Sequence, residues 1–168
     1  MTASATVHAS AVLVGARAVL IRGPSGSGKS RLALELIQAA RTGRIPFAKL
    51  VGDDRVHLEA IGGRLLVRPA ATLAGLIELR GVGLKRIAYE PGAVVGLVVD
   101  LAAADAERMP QPQQRHVQVA GITLPRLAVA PDVLALPSAL TLLTLCRDPT
   151  LLGVKASHRA HLEPDIGP

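Results

Sequence analysis

Apolar runs in the first half of the chain are short and are separated by glycines and charges, a pattern typical of strands and tight turns. Residues 9–14 and 18–21 are two such runs with Gly15-Ala16-Arg17 between them, which predicts a pair of strands joined by a tight turn. The second run leads directly into glycines, and from residue 31 to Thr42-Gly43 the apolar positions recur at helical spacing. The pattern therefore predicts a strand, a glycine-rich turn and an amphipathic helix in succession.

Beyond this helix the chain returns to strand patterns. Residues 48–51 predict an apolar strand that stops abruptly at Gly52-Asp53-Asp54. The runs 55–60 and 64–68 flank a glycine turn and predict a hairpin. Residues 72–77 are expected to form a short helix.

The remaining part of the chain predicts one central strand, a loop and two further elements. Residues 93–101 form the most apolar strand pattern, and residues 102–115, rich in proline and glutamine, predict an exposed loop. Residues 117–127 predict a strand pair turned at a glycine, and residues 138–147 predict the last helix, with a proline just before it.

A length of 168 residues suits a single domain with one core. We assign residues 1–147 to this domain. Residues 148–168 have weak patterning, and we expect them to form a weakly structured C-terminal tail.

Composition excludes several classes of protein. No apolar run reaches the ~18 residues that a membrane span needs, and the single Cys146 excludes a disulfide or a cysteine metal site within one chain. The first residues lack the basic region of a secretory signal. We therefore expect a cytoplasmic protein with no membrane partner.

Aromatic content and net charge limit the classes of binding partner further. Phe47 and Tyr89 are the only aromatic residues, so platforms for base stacking are lacking and we expect no nucleic-acid partner. The 19 Lys and Arg residues exceed the 13 Asp and Glu residues, giving a net charge of +6. This surplus favours an anionic ligand or an acidic partner.

The segment between the second predicted strand and the helix fits the phosphate-loop pattern G-x-x-x-x-G-K-[ST] in full. Glycines let successive backbone N–H groups curl around phosphate oxygens, and the helix N-terminus adds the positive end of its dipole. Lys29 would neutralise the outer phosphates, and the Ser30 hydroxyl would coordinate Mg²⁺. The segment consists of Gly23, Pro24, Ser25, Gly26, Ser27, Gly28, Lys29 and Ser30.

Carboxylates at the ends of two predicted strands are candidates for work on a bound phosphate. Asp100 ends the most apolar strand and is, by that pattern alone, the better match to the metal-side aspartate of phosphate-loop proteins. The doublet Asp53-Asp54 offers two groups, one to hold Mg²⁺ and one to move a proton. Each site also has a structural interpretation, as a charged turn or a strand cap.

Three further residues are ambiguous from the sequence itself. His8 precedes the first strand, where a lone histidine is commonly a surface residue. Glu78 could act near a metal or pair with an arginine such as Arg80. Arg108, in the predicted loop, could reach a phosphoryl group or remain solvated.

In combination, these blocks resemble the bacterial HPr kinase/phosphorylase family, whose members phosphorylate a serine of the phosphocarrier protein HPr and can reverse the reaction. The resemblance covers residues 7–145 and consists of His8, GPSGSGKS, VGDDRV and LIELRGVGL in the family's order. It implies an α/β fold, a P-loop domain with a mixed β-sheet of the HPr kinase and phosphoenolpyruvate carboxykinase type. The Asp-Asp-Arg trio and the Glu-x-Arg-Gly-x-Gly block make it specific.

The resemblance implies a role for each candidate. The phosphate loop would bind the phosphates of ATP, with Ser30, Asp54 and Glu78 at Mg²⁺. Asp53 would take the proton of the target serine and return it when inorganic phosphate attacks phosphoserine. Lys29 and His8 would assist at the same site, and Arg108 matches an arginine associated with the reverse direction.

The resemblance also implies the partners, namely HPr, inorganic phosphate in the reverse direction, and a homo-oligomer, a hexamer in longer relatives. Full-length members have an additional N-terminal domain, so the chain is similar to a short form with the catalytic domain. Gly52 stands where the family usually has alanine. Two alternatives stay open, namely a P-loop kinase of a small anionic metabolite and a nucleotide-sensing module without transfer activity.

Overall fold

A computed structural model describes residues 6–144 of the protein. The two α-helices are α1 (Lys29–Arg41) and α2 (Ala135–Thr144). Single 3₁₀ turns cover Ala71–Leu73 and Pro112–Arg115. The strands are β1 (Thr6–His8), β2 (Ser10–Val14), β3 (Arg17–Arg22), β4 (Ala48–Gly52), β5 (Arg55–Ile61), β6 (Arg64–Pro69), β7 (Leu76–Leu79), β8 (Gly83–Arg86), β9 (Ala93–Asp100), β10 (His116–Val119) and β11 (Ile122–Ala128).

Nine of these strands form one mixed sheet, and β7 and β8 form a separate hairpin. The order across the sheet is β1-β5-β6-β9-β3-β2-β4, and β11 lies between β9 and β10. The central strand β9 runs parallel to β3 and β11 but antiparallel to β6. The predicted α/β fold with a mixed sheet is therefore confirmed.

The central strands β3 and β9 are buried on both faces of the sheet, so apolar side chains occupy successive positions along them. In β3, Val19 and Ile21 pack on the face that α1 and α2 cover. Ala18 and Leu20 point to the opposite face, where β5 and β6 supply the packing residues. Because β3 is buried on both faces, its end is a rigid base for the glycine loop that follows.

The prediction of a short helix over residues 72–77 is wrong. A 3₁₀ turn covers Ala71–Leu73, and β7 already begins at Leu76. Gly75 has a φ of 74°, and a Cβ at this position would lie 2.9 Å from Cδ1 of Tyr89. The glycine therefore reverses the chain into a strand where the apolar pattern alone suggested a turn of helix.

The other predicted elements are present, with small differences in their bounds. The strand pairs, α1 and the central strand lie where the pattern placed them, and α2 begins at Ala135, before the predicted residue 138. Cys146 and the predicted tail, residues 148–168, lie outside the described residues. Within residues 6–144, no helix is both long enough and apolar enough to cross a membrane.

Candidate active site

The glycine loop between β3 and α1 has the backbone geometry of a phosphate cradle. Gly23, Gly26 and Gly28 have φ values of 148°, 79° and 96°, in the region that glycine adopts most readily. Gly28 is the N-cap of α1, and no side chain caps the helix. The first amides of α1 are therefore available to an anion.

The base of the loop is packed too closely to accept a side chain at Gly23. A Cβ at this position would lie 2.6 Å from Oγ of Ser27 and 2.9 Å from the backbone oxygen of Leu101. The Ser27 hydroxyl itself is buried and has no hydrogen-bond partner in the structure. The loop therefore contains a buried hydroxyl without a partner, as expected of a loop that hydrogen-bonds to a bound phosphate.

Lys29 is held inside this loop. Lys29 is 6 % exposed. Its Nζ donates to the backbone oxygens of Gly23 and Pro24 at 3.0 and 3.1 Å. Burial lowers the pKa of Lys29 below its usual value, while the negative charges of Asp53 and Asp54 oppose that shift. The ammonium group is thus poised where phosphate oxygens would compete for it.

Asp53 faces the loop from the end of β4. It is 3 % exposed, and the Ser30 hydroxyl lies 2.9 Å from each of its carboxylate oxygens. The Ser10 hydroxyl donates to Oδ1 at 2.5 Å, and the amide of Glu78 donates to Oδ2 at 3.2 Å. A carboxylate with this set of donors is fixed in place beside the phosphate loop.

Asp54 is exposed, unlike Asp53, and lies in the sharp turn between β4 and β5. Asp54 has a φ of 63°. The backbone amide of Arg55 donates to the backbone carbonyl oxygen of Asp53 at 2.7 Å, which closes a tight turn. The Asp54 side chain is 59 % exposed, and its Oδ1 lies 3.2 Å from Nε2 of His8. The structure therefore pairs the two predicted residues His8 and Asp54 at the open side of the site.

Gly52 allows this turn to close against the sheet. A Cβ at Gly52 would lie 2.8 Å from Cγ1 of Val56 and 3.1 Å from Cα of Pro69. The glycine is therefore required here by close packing, and its φ is not in the left-handed region.

Glu78 reaches the site through its backbone. Its amide binds Asp53, whereas its side chain lies on the exposed side of β7. Among the described residues, no group of three His, Cys, Asp or Glu side chains is arranged to hold a metal ion. A cation here would therefore draw its oxygen ligands from hydroxyl and carboxylate groups together with phosphate oxygens, a set that suits Mg²⁺. Ser30, Asp54 and Glu78 remain the predicted protein ligands.

The turn between β7 and β8 places Arg80 over the phosphate loop. The amide of Val82 donates to the oxygen of Leu79 at 2.9 Å, and Gly81 between them has a φ of 79°. This is the arrangement expected of a type II turn, which needs glycine at its third position. A Cβ on Gly26 would lie 3.8 Å from Nη2 of Arg80. The Arg-Gly pair of the sequence block thus positions a cation at the rim of the loop.

Asp100 belongs to an ion-pair network at the ends of the parallel strands. Arg22 donates to its two oxygens at 2.7 and 2.8 Å, and Nε of Arg126 donates at 2.7 Å. Arg126 also binds both oxygens of Asp105 at 2.6 and 2.9 Å. Asp100 is therefore a structural brace, and the metal-side role suggested by its apolar strand is not the one that the geometry favours.

The arginines of this network lower the pKa of both of its carboxylates. Burial acts to raise the pKa of Asp100, but the hydrogen bonds and charges of Arg22 and Arg126 outweigh it and hold the pKa below its usual value. The hydrogen bond from Arg126 lowers the pKa of Asp105 as well. The pKa of Arg126 is raised in return, chiefly by its hydrogen bond to Asp105.

Arg108 lies on the exposed loop that Asp105 anchors. Among the described residues, no hydrogen bond or ion pair joins its side chain to Asp53 or Lys29. The start of this loop is held by a backbone hydrogen bond, in which the amide of Ala103 donates to the carbonyl oxygen of Val129 at 2.9 Å.

Four residues in or beside the site were not predicted to act there, namely Ser10, Arg22, Arg80 and Arg126. Ser10 sits in an otherwise apolar strand, and this break in the pattern is the signal that could have pointed to it. Arg22 immediately precedes the phosphate loop. Arg126 carries no local signal, because its partners come from other elements.

Comparison with known families identifies the class of protein that this fold and site define. The family described as the HPr Serine kinase C-terminal domain matches residues 1–130. The chain therefore belongs to this family, and the predicted resemblance is confirmed.

Individual relatives agree with this assignment. The chain is 38 % identical over 101 residues to an HPr kinase/phosphorylase of Neisseria meningitidis, covering 55 % of this chain and 29 % of that protein. It is 42 % identical over 80 residues to an HPr kinase/phosphorylase of Streptococcus thermophilus, covering 47 % of this chain and 24 % of that protein. The chain thus spans less than a third of the length of these relatives.

A solved structure matches the fold over most of its length. This is the HPr(Ser) kinase/phosphatase of Coxiella burnetii, with a TM-score of 0.65 and 25 % sequence identity. The alignment covers 84 % of this chain and 95 % of that one. The mixed α/β architecture is therefore that of the family.

Proposed function

We propose that this domain is an ATP-dependent protein serine kinase that acts on HPr and that also runs in reverse as a phosphate-dependent phosphorylase. The observation that carries the proposal is the contact between the phosphate-loop hydroxyl of Ser30 and the buried carboxylate of Asp53. It puts a proton acceptor beside a cradle for phosphates. Family membership supplies the acceptor, since the curated relatives are named for HPr.

The loop residues bind and orient the nucleotide in this proposal. Lys29 exchanges the backbone oxygens of Gly23 and Pro24 for phosphate oxygens, and the amides at the start of α1 supply further donors. Mg²⁺, held through Ser30, Asp54 and Glu78, would neutralise charge on the transferring phosphoryl group. These groups stabilise a loose transition state by position and charge.

Asp53 moves the proton. As the oxygen of the target serine bonds to the γ-phosphorus of ATP, the bond from that phosphorus to the bridging oxygen breaks, ADP leaves, and the serine proton passes to Asp53. In the reverse direction an oxygen of inorganic phosphate bonds to the phosphorus of phosphoserine. The serine oxygen then leaves with the proton from Asp53, and diphosphate is the other product.

His8 and Arg108 complete the proposed machinery. His8 would act through its contact with Asp54, which keeps the exposed carboxylate turned toward the open side of the site. Arg108 would approach from its loop when phosphoserine is bound, since its side chain is exposed and without a described partner in the site. We place this activity in the cytoplasm and expect a homo-oligomer, a hexamer by resemblance to the family.

The proposal is tested by incubating the purified chain with HPr and ATP labelled on the γ-phosphate in the presence of Mg²⁺, followed by mass spectrometry of HPr. Label on one HPr serine that disappears when excess inorganic phosphate is added supports both directions. Label that persists restricts the protein to the kinase direction and removes the role of Arg108. ATP binding without any labelled HPr contradicts the proposal and favours a metabolite kinase or a nucleotide sensor.

A further inference from the structure

Ser10 is buried in a way that the core does not explain. Within residues 6–144 the buried polar or charged residues are Ser10, Lys29 and Asp53, and the other two belong to the candidate site. Ser10 is 0 % exposed and begins β2, whose next two residues, Ala11 and Val12, are both buried apolar side chains. An alanine would continue this apolar pattern without burying a hydroxyl that needs a hydrogen-bond partner.

The hydroxyl has one described partner, the Oδ1 atom of Asp53 at 2.5 Å. The two residues are 43 positions apart, and the sheet joins them because Ala11 pairs with Gly52 across β2 and β4. Ser10 is therefore held within β2, and Asp53 directly follows the paired residue at the end of β4. A contact between two buried side chains, one on β2 and one directly after the paired strand β4, has little freedom to rearrange.

The donors around Asp53 divide between its two oxygens. Ser10 serves Oδ1, the amide of Glu78 serves Oδ2, and the Ser30 hydroxyl lies 2.9 Å from both. Ser30 has one proton and belongs to the phosphate loop, where a bound nucleotide would compete for its hydroxyl. Ser10 and Glu78 lie on strands, so their bonds persist when Ser30 is engaged elsewhere.

We propose that Ser10 is a positioning residue that fixes the plane of the Asp53 carboxylate and keeps one of its oxygens aimed at the proton of the acceptor serine. This inference rests on the proposed function. Ser10 is fully buried and its hydroxyl is bonded to Asp53, so we assign it no contact with the reacting atoms. Its contribution is orientation, and a misaligned proton acceptor slows the transfer step more than it weakens binding.

Three substitutions at Ser10 separate orientation from packing. Ser10→Ala removes the donor, Ser10→Cys keeps nearly the same shape with a weak S–H donor, and Ser10→Thr restores a hydroxyl with one added methyl group. Val12→Ala serves as the matched control, since Val12 lies in the same strand, is 0 % exposed and packs on the face covered by the helices. It loses stability without contact to Asp53.

The measurement is steady-state transfer from Mg-ATP to HPr at a temperature where each variant is folded, together with the affinity for a fluorescent ATP analogue. We expect Ser10→Ala to lower kcat by about 10- to 100-fold, with KM for HPr and nucleotide affinity within about twofold of wild type. Ser10→Thr should recover most of the loss, and Ser10→Cys should stay close to Ser10→Ala. Val12→Ala should keep its kcat.

Two results overturn the inference. If Ser10→Ala, or Ser10→Cys where the alanine variant does not fold, has a wild-type kcat, then Ser10 only packs. If Val12→Ala loses kcat as strongly as Ser10→Ala, then general loosening of β2 explains the effect. A wild-type chain that binds ATP but does not label HPr contradicts the proposed function instead, and the positioning role falls with it.

Discussion

Replacement of Asp100 by asparagine separates the two roles open to a carboxylate at the end of the central strand. A metal-side carboxylate would lose Mg-nucleotide binding, whereas a brace would lose stability. Three charge-assisted hydrogen bonds from Arg22 and Arg126 end on Asp100. We therefore expect Asp100→Asn to destabilise the protein and to leave nucleotide affinity nearly unchanged.

The magnitude follows from the burial of the network. Removing one partner of a fully buried ion pair costs about 3–5 kcal/mol. The side chains of Asp100 and Arg126 are each 13 % exposed and that of Arg22 is 33 % exposed, so solvent screens part of the loss. We expect a decrease of about 2–3 kcal/mol in the free energy of unfolding, or about 5–10 °C in Tm.

The same substitution has a predicted pH dependence. The pKa of Asp100 is lowered in the folded state, so its stabilising contribution is fully present above the ordinary aspartate pKa of about 4 and is lost as the pH falls through the lowered value. The stability difference between wild type and Asp100→Asn should therefore be constant from pH 7 to about pH 5 and shrink below about pH 4.

Urea unfolding at several pH values, with titration of a fluorescent ATP analogue in Mg²⁺, measures both effects. Asp132→Asn is the matched control, because Asp132 is exposed in the segment before α2. A variant Asp100→Asn that keeps wild-type stability but loses Mg-dependent nucleotide binding would refute this reasoning and return Asp100 to the metal site.

Three other substitutions test separate parts of the site. Gly52→Ala should lower the free energy of unfolding by about 1–3 kcal/mol, because its Cβ would contact Val56 and Pro69; unchanged urea unfolding would contradict that packing. Lys29→Met should weaken ATP binding at least about tenfold in a titration with the labelled analogue while the fold is kept, since one charge-assisted contact is lost; wild-type affinity would remove Lys29 from the phosphate site. Arg80→Gln should weaken the binding of inorganic phosphate, measured by calorimetry, more than Arg80→Lys does, and equal affinities would separate Arg80 from the loop.

Local signals in the sequence were sufficient for most of the elements and for the phosphate loop, but not for β1 or for the hairpin of β7 and β8. Glycines at positions that need positive φ, followed by a helical period, specify the turn between β3 and α1 without help from the rest of the chain. The same reasoning failed over residues 72–77, because the contact of Gly75 with Tyr89 depends on a neighbour 14 residues away. Short apolar runs do not distinguish a turn of helix from a strand.

Contacts between residues far apart in the chain could not be predicted from the sequence. The pairs Ser10–Asp53 and Arg22–Asp100 are separated by 43 and 78 residues, and the sheet order decides which of them meet. Asp53 is buried and Asp54 is exposed, and the turn between them has a φ of 63° at Asp54 that no residue type in the doublet indicates. The ranking of Asp100 by its apolar strand missed the two arginines that bind it.

The two aspartates of the doublet provide the most direct test of the central claim, that Asp53 moves the proton. The rate of transfer from ATP to HPr in a single turnover is measured for Asp53→Asn and Asp54→Asn over a range of Mg²⁺ concentrations, after both variants are shown to be folded. We expect Asp53→Asn to lose at least about 10²-fold in rate at every Mg²⁺ concentration, and Asp54→Asn to regain much of its rate as Mg²⁺ is raised. Near-normal transfer by folded Asp53→Asn would contradict the claim.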